Sequence, residues 1–258
     1  MRSLARAAKA EQGGASIPDV FTSLAGYQAH IRRAEVTMVA APPGAGKSTF
    51  ALVTALRAKA PTLYFSADSH AHTMALRTIS ALTATEQDKV EKWMDEDPQW
   101  SKDTLAHANH IRWNFDSSPG IEDIDEEIKV YREVMGADPH LIVVDNLIDV
   151  SFIDGDEYQS LRSLLRELKG FARDTGAAVL ALHHTSESIP MNPCPPRSAI
   201  HGKVNQTPAM ILTLGATPGL MPVAVVKNRY GPADVSGTTA HYLDFNPSSM
   251  YLRDKEVA

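Results

Sequence analysis

Short apolar runs alternate along the chain with longer stripes of helical period. That alternation predicts an α/β fold whose mostly parallel sheet carries helices on both faces. The first run, Val36 to Ala41, leads through a glycine-containing turn into a helix over 46–59. Next come a strand over Thr62–Ser66, a helix over 70–82, a charged helix around Trp93 and a polar stretch to Asn109. A strand over 111–115, an acidic helix over Ile121–Met135 and a fully buried strand over 140–145 follow. Over 158–175, the residues Leu161, Leu164, Leu165, Leu168, Phe171 and Ala172 make one helical stripe. A fifth strand over 177–182 precedes the proline-rich stretch Ile189-Pro190-Met191-Asn192-Pro193-Cys194-Pro195-Pro196, whose length and lack of pattern predict a mobile, functional loop. Strands over Met210–Leu214, 223–226 and 241–245 are separated by turns and predict a C-terminal antiparallel extension. Residues 1–30 read as a separable segment, available to link subunits, and 31–258 as the main domain.

The turn after the first run reads Pro42-Pro43-Gly44-Ala45-Gly46-Lys47-Ser48-Thr49, a phosphate-binding loop with a strand before it and a helix after it. A triphosphate concentrates negative charge, so binding it takes converging backbone N–H groups, and Gly44, Ala45 and Gly46 let the backbone come close. Lys47 is the cation for the β and γ phosphates, and the Ser48 hydroxyl is a ligand for Mg2+. Ala41 stands where the pattern has its first glycine. The second half of such a site is Leu141-Ile142-Val143-Val144-Asp145: four apolar residues suit a parallel strand buried on both faces, and Asp145 at its end is the outer partner of the magnesium. The expected ligands are therefore ATP and Mg2+.

Composition narrows the class. The chain has 258 residues, 43% of them hydrophobic, enough for one sizeable core with appendages. Its single cysteine, Cys194, excludes an internal disulfide. No apolar run reaches membrane-span length, and the opening Met-Arg-Ser-Leu-Ala-Arg lacks a signal core, so a cytoplasmic protein without a membrane partner is expected. A net charge of −6 argues against a general nucleic-acid coat, although a ring can hide a basic inner surface. One cysteine with His70, His72, His107 and His110 gives no four-ligand zinc spacing.

The motifs in order resemble the RecA-like ATPase core of DnaB-class hexameric helicases and their compact plasmid-type relatives. The matching stretches run from Val39 to Ser48, from Leu63 to Asp68 with Arg77 downstream, from Leu141 to Asp145, from Leu180 to Thr185, and Lys227-Asn228-Arg229-Tyr230-Gly231-Pro232. The resemblance implies that Asp68 stands where the family has a glutamate that orients the attacking water. Asp68 is one methylene shorter, and it also reads as an N-cap for the following helix. His184 falls where the family senses the γ phosphate; the pair His183-His184 also reads as a polar strand end. Lys227 and Arg229 match cations that reach a neighbouring subunit's nucleotide, against the reading of two solvated charges.

Two loops correspond to those that line the family's DNA channel. The first, 151–159, is acidic. The second, 186–206, carries Arg197, His201, Gly202 and Lys203, a modest cationic set for single-stranded DNA. The resemblance thus implies a DNA-dependent ATPase in a ring of copies of itself, six in the family. It also implies contacts with other replication or recombination proteins, and leaves no room for the larger helicases' helical N-terminal domain. A recombination or annealing ATPase of RecA type, and a nucleotide-gated regulatory or scaffold ATPase with no DNA role, stand as alternatives.

Overall fold

A computed structural model describes residues 15–150, 157–185 and 192–255. Nine strands among them form one sheet: β1 (Val36–Ala41), β2 (Thr62–Ser66), β3 (Ile111–Asn114), β4 (Leu141–Asp145), β5 (Ala178–His184), β6 (Met210–Leu214), β7 (Leu220–Asn228), β8 (His241–Asn246) and β9 (Tyr251–Asp254). Their order is β3-β2-β4-β5-β1-β6-β7-β8-β9. The first six in that order run parallel, and β7, β8 and β9 each pair antiparallel with the strand before. The antiparallel extension therefore begins one strand later than the turn spacing suggests, because β6 lies beside β1 and takes its direction.

Both faces of the central strands are buried, as their unbroken apolar runs require. One face carries α1 (Thr22–Gly26), α2 (Lys47–Ala58) and α3 (Ala71–Thr83), with Phe21, Leu24, Phe50, Leu52 and Met74 packed on Val39, Tyr64, Val143 and Leu180. The other carries α6 (Ile121–Met135) and α7 (Glu157–Thr175), whose Ile124, Ile128, Leu164 and Leu168 meet Met38, Val144 and Val179. Along the chain between α3 and α6, α4 (Gln87–Glu96) and α5 (Pro98–Leu105) lie together, Trp93 meeting Trp100 edge-on at 5.3 Å. The stretch read as polar connection thus holds a helix, opened by Pro98 at its first turn and by the Trp100 N–H donating to Asp97 Oδ1 at 2.9 Å.

Two expectations change. Residues 15–30 are not separable from the core. Ile17, Phe21, Leu24 and Ala29 are buried, and the Asp254 carboxylate accepts from the Thr22 and Ser23 N–H groups at 2.7 and 3.0 Å and from both hydroxyls. Residues 1–14 lie outside the described residues. Likewise, the C-terminal half of the proline-rich stretch is packed, not loose: Cys194, Pro195 and Pro196 are buried. Their chain runs so close to Gly215 and Gly237 that a β-carbon there would stand 1.9 Å from Pro193 O and 2.7 Å from Cys194 O. Burial pushes the Cys194 thiol up to about 12, leaving it chemically inert. Residues 186–191 lie outside the described residues.

Candidate active site

The carboxyl ends of β1, β2, β4 and β5 open into a cleft of about 490 Å³, lined by Pro43, Gly44, Gly46, Lys47, Ser48, Thr49, Asp68, Asp145 and His184, among others. This is where parallel sheets hold ligands. Ala45, behind the loop, is buried. Gly44 and Gly46 turn the loop with φ of 77° and 90°, and Gly46 directly precedes α2, so the helix N-terminus faces the cleft.

Lys47 is not the exposed cation that a surface loop suggests. It is 8% exposed, and burial lowers its pKa against the opposing charges of Asp145 and Asp68. Asp145 is 5% exposed; burial raises its pKa, while hydrogen bonds from Ser48 and Tyr64 work the other way. The Tyr64 hydroxyl donates to Asp145 Oδ2 at 3.2 Å. A buried carboxylate beside a serine hydroxyl, both at the phosphate loop, is a donor set that suits a hard divalent cation. Asp68 lines the same cleft and does not cap α3. That helix starts at Ala71 after His70, and no side chain caps it.

His184 reaches the cleft between Lys47 Nζ, 3.4 Å from its Nδ1, and Asn146 Nδ2, 3.5 Å from its Nε2. Burial and then the Lys47 charge lower its pKa, so the ring is neutral. The Asn146 amide is fixed the other way round, because its Oδ1 accepts from the Ile148 N–H at 2.9 Å. A neutral imidazole accepts at one nitrogen only. The other nitrogen of His184 therefore carries a proton for which neither contact offers an acceptor.

His183, the next residue on β5, points to the opposite face. It is 1% exposed, its Nε2 donates to His201 O at 3.1 Å, and its Nδ1 has no partner among the described residues. Burial is the main reason its pKa falls to about 4. The tandem histidines thus divide between the nucleotide cleft and the loop containing His201.

Lys227 and Arg229 lie elsewhere. The Arg229 N–H donates to Ala209 O and the Ala209 N–H to Val36 O, which puts them beside the start of β1, while the phosphate loop follows its end. Six residues of strand separate the two, roughly 20 Å. Arg229 Nη1 is 3.4 Å from Glu35 Oε1, and Lys227 Nζ donates to Asn205 O and Gln206 O at 2.7 and 2.8 Å. The four residues expected to touch DNA also divide. His201 bears electrostatically on His184, and Gly202 turns the chain there with φ 75°, next to Lys203; Arg197 bears on Lys227 instead. Of the first DNA loop, residues 151–156 lie outside the described residues.

A sequence pattern described as an AAA domain matches residues 24–188. The chain belongs to this AAA-domain family. Over 253 residues, 93% of its length, the chain is 36% identical to the Gene 65 protein of Mycobacterium phage L5, covering 94% of that protein. It is 28% identical over 182 residues to the Replicative DNA helicase DnaB of Pasteurella multocida (strain Pm70), matching 66% of the chain but 38% of the helicase. The AAA domain therefore spans well under half the length of that helicase. A solved DnaB-like replicative helicase, described together with its interactions with primase, superposes with a TM-score of 0.79 at 17% identity, over 98% of this chain and 65% of that one, which establishes the fold. The AAA domain is a helicase-like, DnaB-class RecA-like core: a nucleotide-binding, ATP-hydrolysing P-loop enzyme.

Several cleft residues carry no motif. Gln87 comes from α4, Phe245 from β8, and Pro247 and Met250 from the turn joining β8 to β9. Asn146 and Asp149 follow Asp145 by one and four positions, the one signal in the chain that marks them. Burial and the nearby Asp68 charge raise the pKa of Asp149. Among the described residues, no helix is long and apolar enough to cross a membrane.

Proposed function

We propose that this AAA domain is a DNA-dependent ATPase that binds ATP with Mg2+, completes each active site at a contact between two copies, and translocates on or remodels single-stranded DNA. The observation that carries the reading is the separation of Arg229 from its own phosphate loop by the length of β1. A cation that far from its own nucleotide can serve only one held by a neighbour. Ser48 and Asp145 would hold the Mg2+, which when bound supplies charge neutralisation across the phosphates. Lys47 binds the β and γ phosphates, and the free N–H of His184 donates to the γ phosphate. Asp68 orients the attacking water. Arg229 with Lys227 stabilises the charge that develops on the neighbour's transferred group.

For DNA, the favoured contact is the turn at His201, Gly202 and Lys203. It lies beside His184, and the His183 hydrogen bond to His201 O ties it to the same strand. A change at the γ phosphate then reaches the turn through one strand end. The stretch matched in DnaB supports a motor core.

The test is ATP turnover with and without single-stranded DNA, combined with subunit mixing. Arg229→Ala and Lys47→Ala are each expected to lose most turnover. Mixed together, they should recover part of it, because Lys47→Ala subunits bring Arg229 to the intact phosphate loops of their neighbours. Absence of recovery in oligomers shown to contain both subunits would remove the shared-site reading.

A further inference from the structure

We propose that Arg197 belongs with Lys227 and Arg229 to one anion site, and that its ligand is the phosphate of the neighbouring subunit's bound nucleotide instead of the DNA backbone. The inference rests on the shared-site reading of Arg229 and extends it to a residue that the sequence assigns to DNA.

The Arg197 backbone is tied to the segment that follows β7. Its N–H donates to Val235 O at 3.0 Å, and the Asp234 N–H donates to Val225 O at 2.8 Å, two residues before Lys227. The segment leading into it is held by the close passage of Pro193, Cys194 and Pro195 over Gly215 and Gly237. The Arg197 backbone therefore keeps its position relative to Lys227 and Arg229.

The charge of this group is unbalanced. Lys227 Nζ donates to two neutral carbonyl groups. Burial, and after it the charges of Arg229, Arg197 and Lys169, bring its pKa down to about 8, with Glu35 the one carboxylate acting in its favour. Glu35 is already engaged by Arg229 at 3.4 Å and by the Tyr230 hydroxyl at 2.7 Å. Among the described residues, Lys227 thus feels three other cations and one carboxylate, an arrangement that an incoming anion relieves. A nucleotide phosphate and a DNA phosphate offer the same chemistry. The nucleotide is favoured because the cluster includes Arg229 and lies by the start of β1, whereas His201 lies at the opposite end beside His184.

The experiment uses the full chain with Arg197→Ala and Arg197→Lys. Arg197→Ala is expected to lower ATP turnover at least tenfold, to keep its own nucleotide affinity, and to regain activity when mixed with Lys47→Ala subunits, which also demonstrates that it folds. Arg197→Lys should retain part of the rate. Affinity for a single-stranded oligonucleotide, and its dependence on salt, should not change. Normal turnover with weaker oligonucleotide binding and a salt slope reduced by about one would overturn the proposal and return Arg197 to DNA. Normal turnover with unchanged DNA binding would also overturn it, leaving a solvated cation. If Arg229→Ala is rescued by mixing and Arg197→Ala is not, this inference fails while the shared-site reading stands; if neither is rescued, both fail.

Discussion

Replacing Gly46 by alanine tests whether the phosphate loop works in the shape described. Gly46 has φ 90° and ψ 24°, and an added β-carbon would stand 2.6 Å from Met221 Cε and 2.9 Å from Phe245 Cζ. Met221 is fully buried, so its end cannot swing into solvent. The left-handed backbone disfavours alanine by about 1–2 kcal/mol, and overpacking adds about 1–3 kcal/mol. Gly44 provides the control: its φ is 77°, but nothing lies within 4 Å of an added β-carbon, so only the backbone part applies. Both strains are relieved if the loop leaves its phosphate-binding shape, so the loss should appear mainly in nucleotide affinity. Gly44→Ala is expected to weaken binding by about fivefold to thirtyfold and Gly46→Ala by about thirtyfold or more. A fluorescent-nucleotide titration, with thermal melts to check folding, measures both. Equal losses in the two variants would refute the packing argument, and wild-type affinity for Gly46→Ala would refute the loop conformation itself.

Asp68→Ala should bind nucleotide within about threefold of wild type yet turn over about a hundredfold more slowly, the usual share of a positioned base; a normal rate would pass the water to another group, with Asp149 first in line. His183 gives a pH prediction. Its folded pKa of about 4 lies below the 6.5 of an ordinary histidine, so protonation favours the unfolded chain. Its stability contribution is complete above about pH 6.5 and is lost as pH falls towards 4, about 2 kcal/mol of it by pH 5. Urea unfolding should therefore weaken more between pH 7.5 and pH 5 in wild type than in His183→Gln, and parallel curves would refute it.

The parallel strands and the nucleotide cleft were legible because their signals are local. Four apolar residues ending in Asp145 can bury both faces of a strand, and a strand–turn–helix around Lys47 is its own context. Features that depend on distant partners were not legible. Thr22 looks like part of a loose leader until Asp254 accepts from it across 232 residues. The Pro193–Pro196 stretch has no period of its own, and its order comes from the room that Gly215 and Gly237 leave. The tie of Arg197 to Val235 is likewise invisible in a loop sequence without a period. Strand β9 was missed because Tyr251–Asp254 is short and follows a 3-10 turn, and it completes the sheet only once β8 offers an edge.

If Arg229 serves a neighbour's nucleotide as proposed, the placement of the phosphate loop and Arg229 at opposite ends of β1 also bears on symmetry. A two-fold dimer pairs residue i of one copy with residue j of the other and j with i, so it can set each Arg229 on the other copy's phosphate loop and completes both sites at once. A heterologous contact instead repeats in one direction. An open chain of n copies then leaves one cleft without its arginine and one arginine without a cleft, while closure completes all n. Activity per copy therefore rises with chain length and becomes uniform only when the assembly closes.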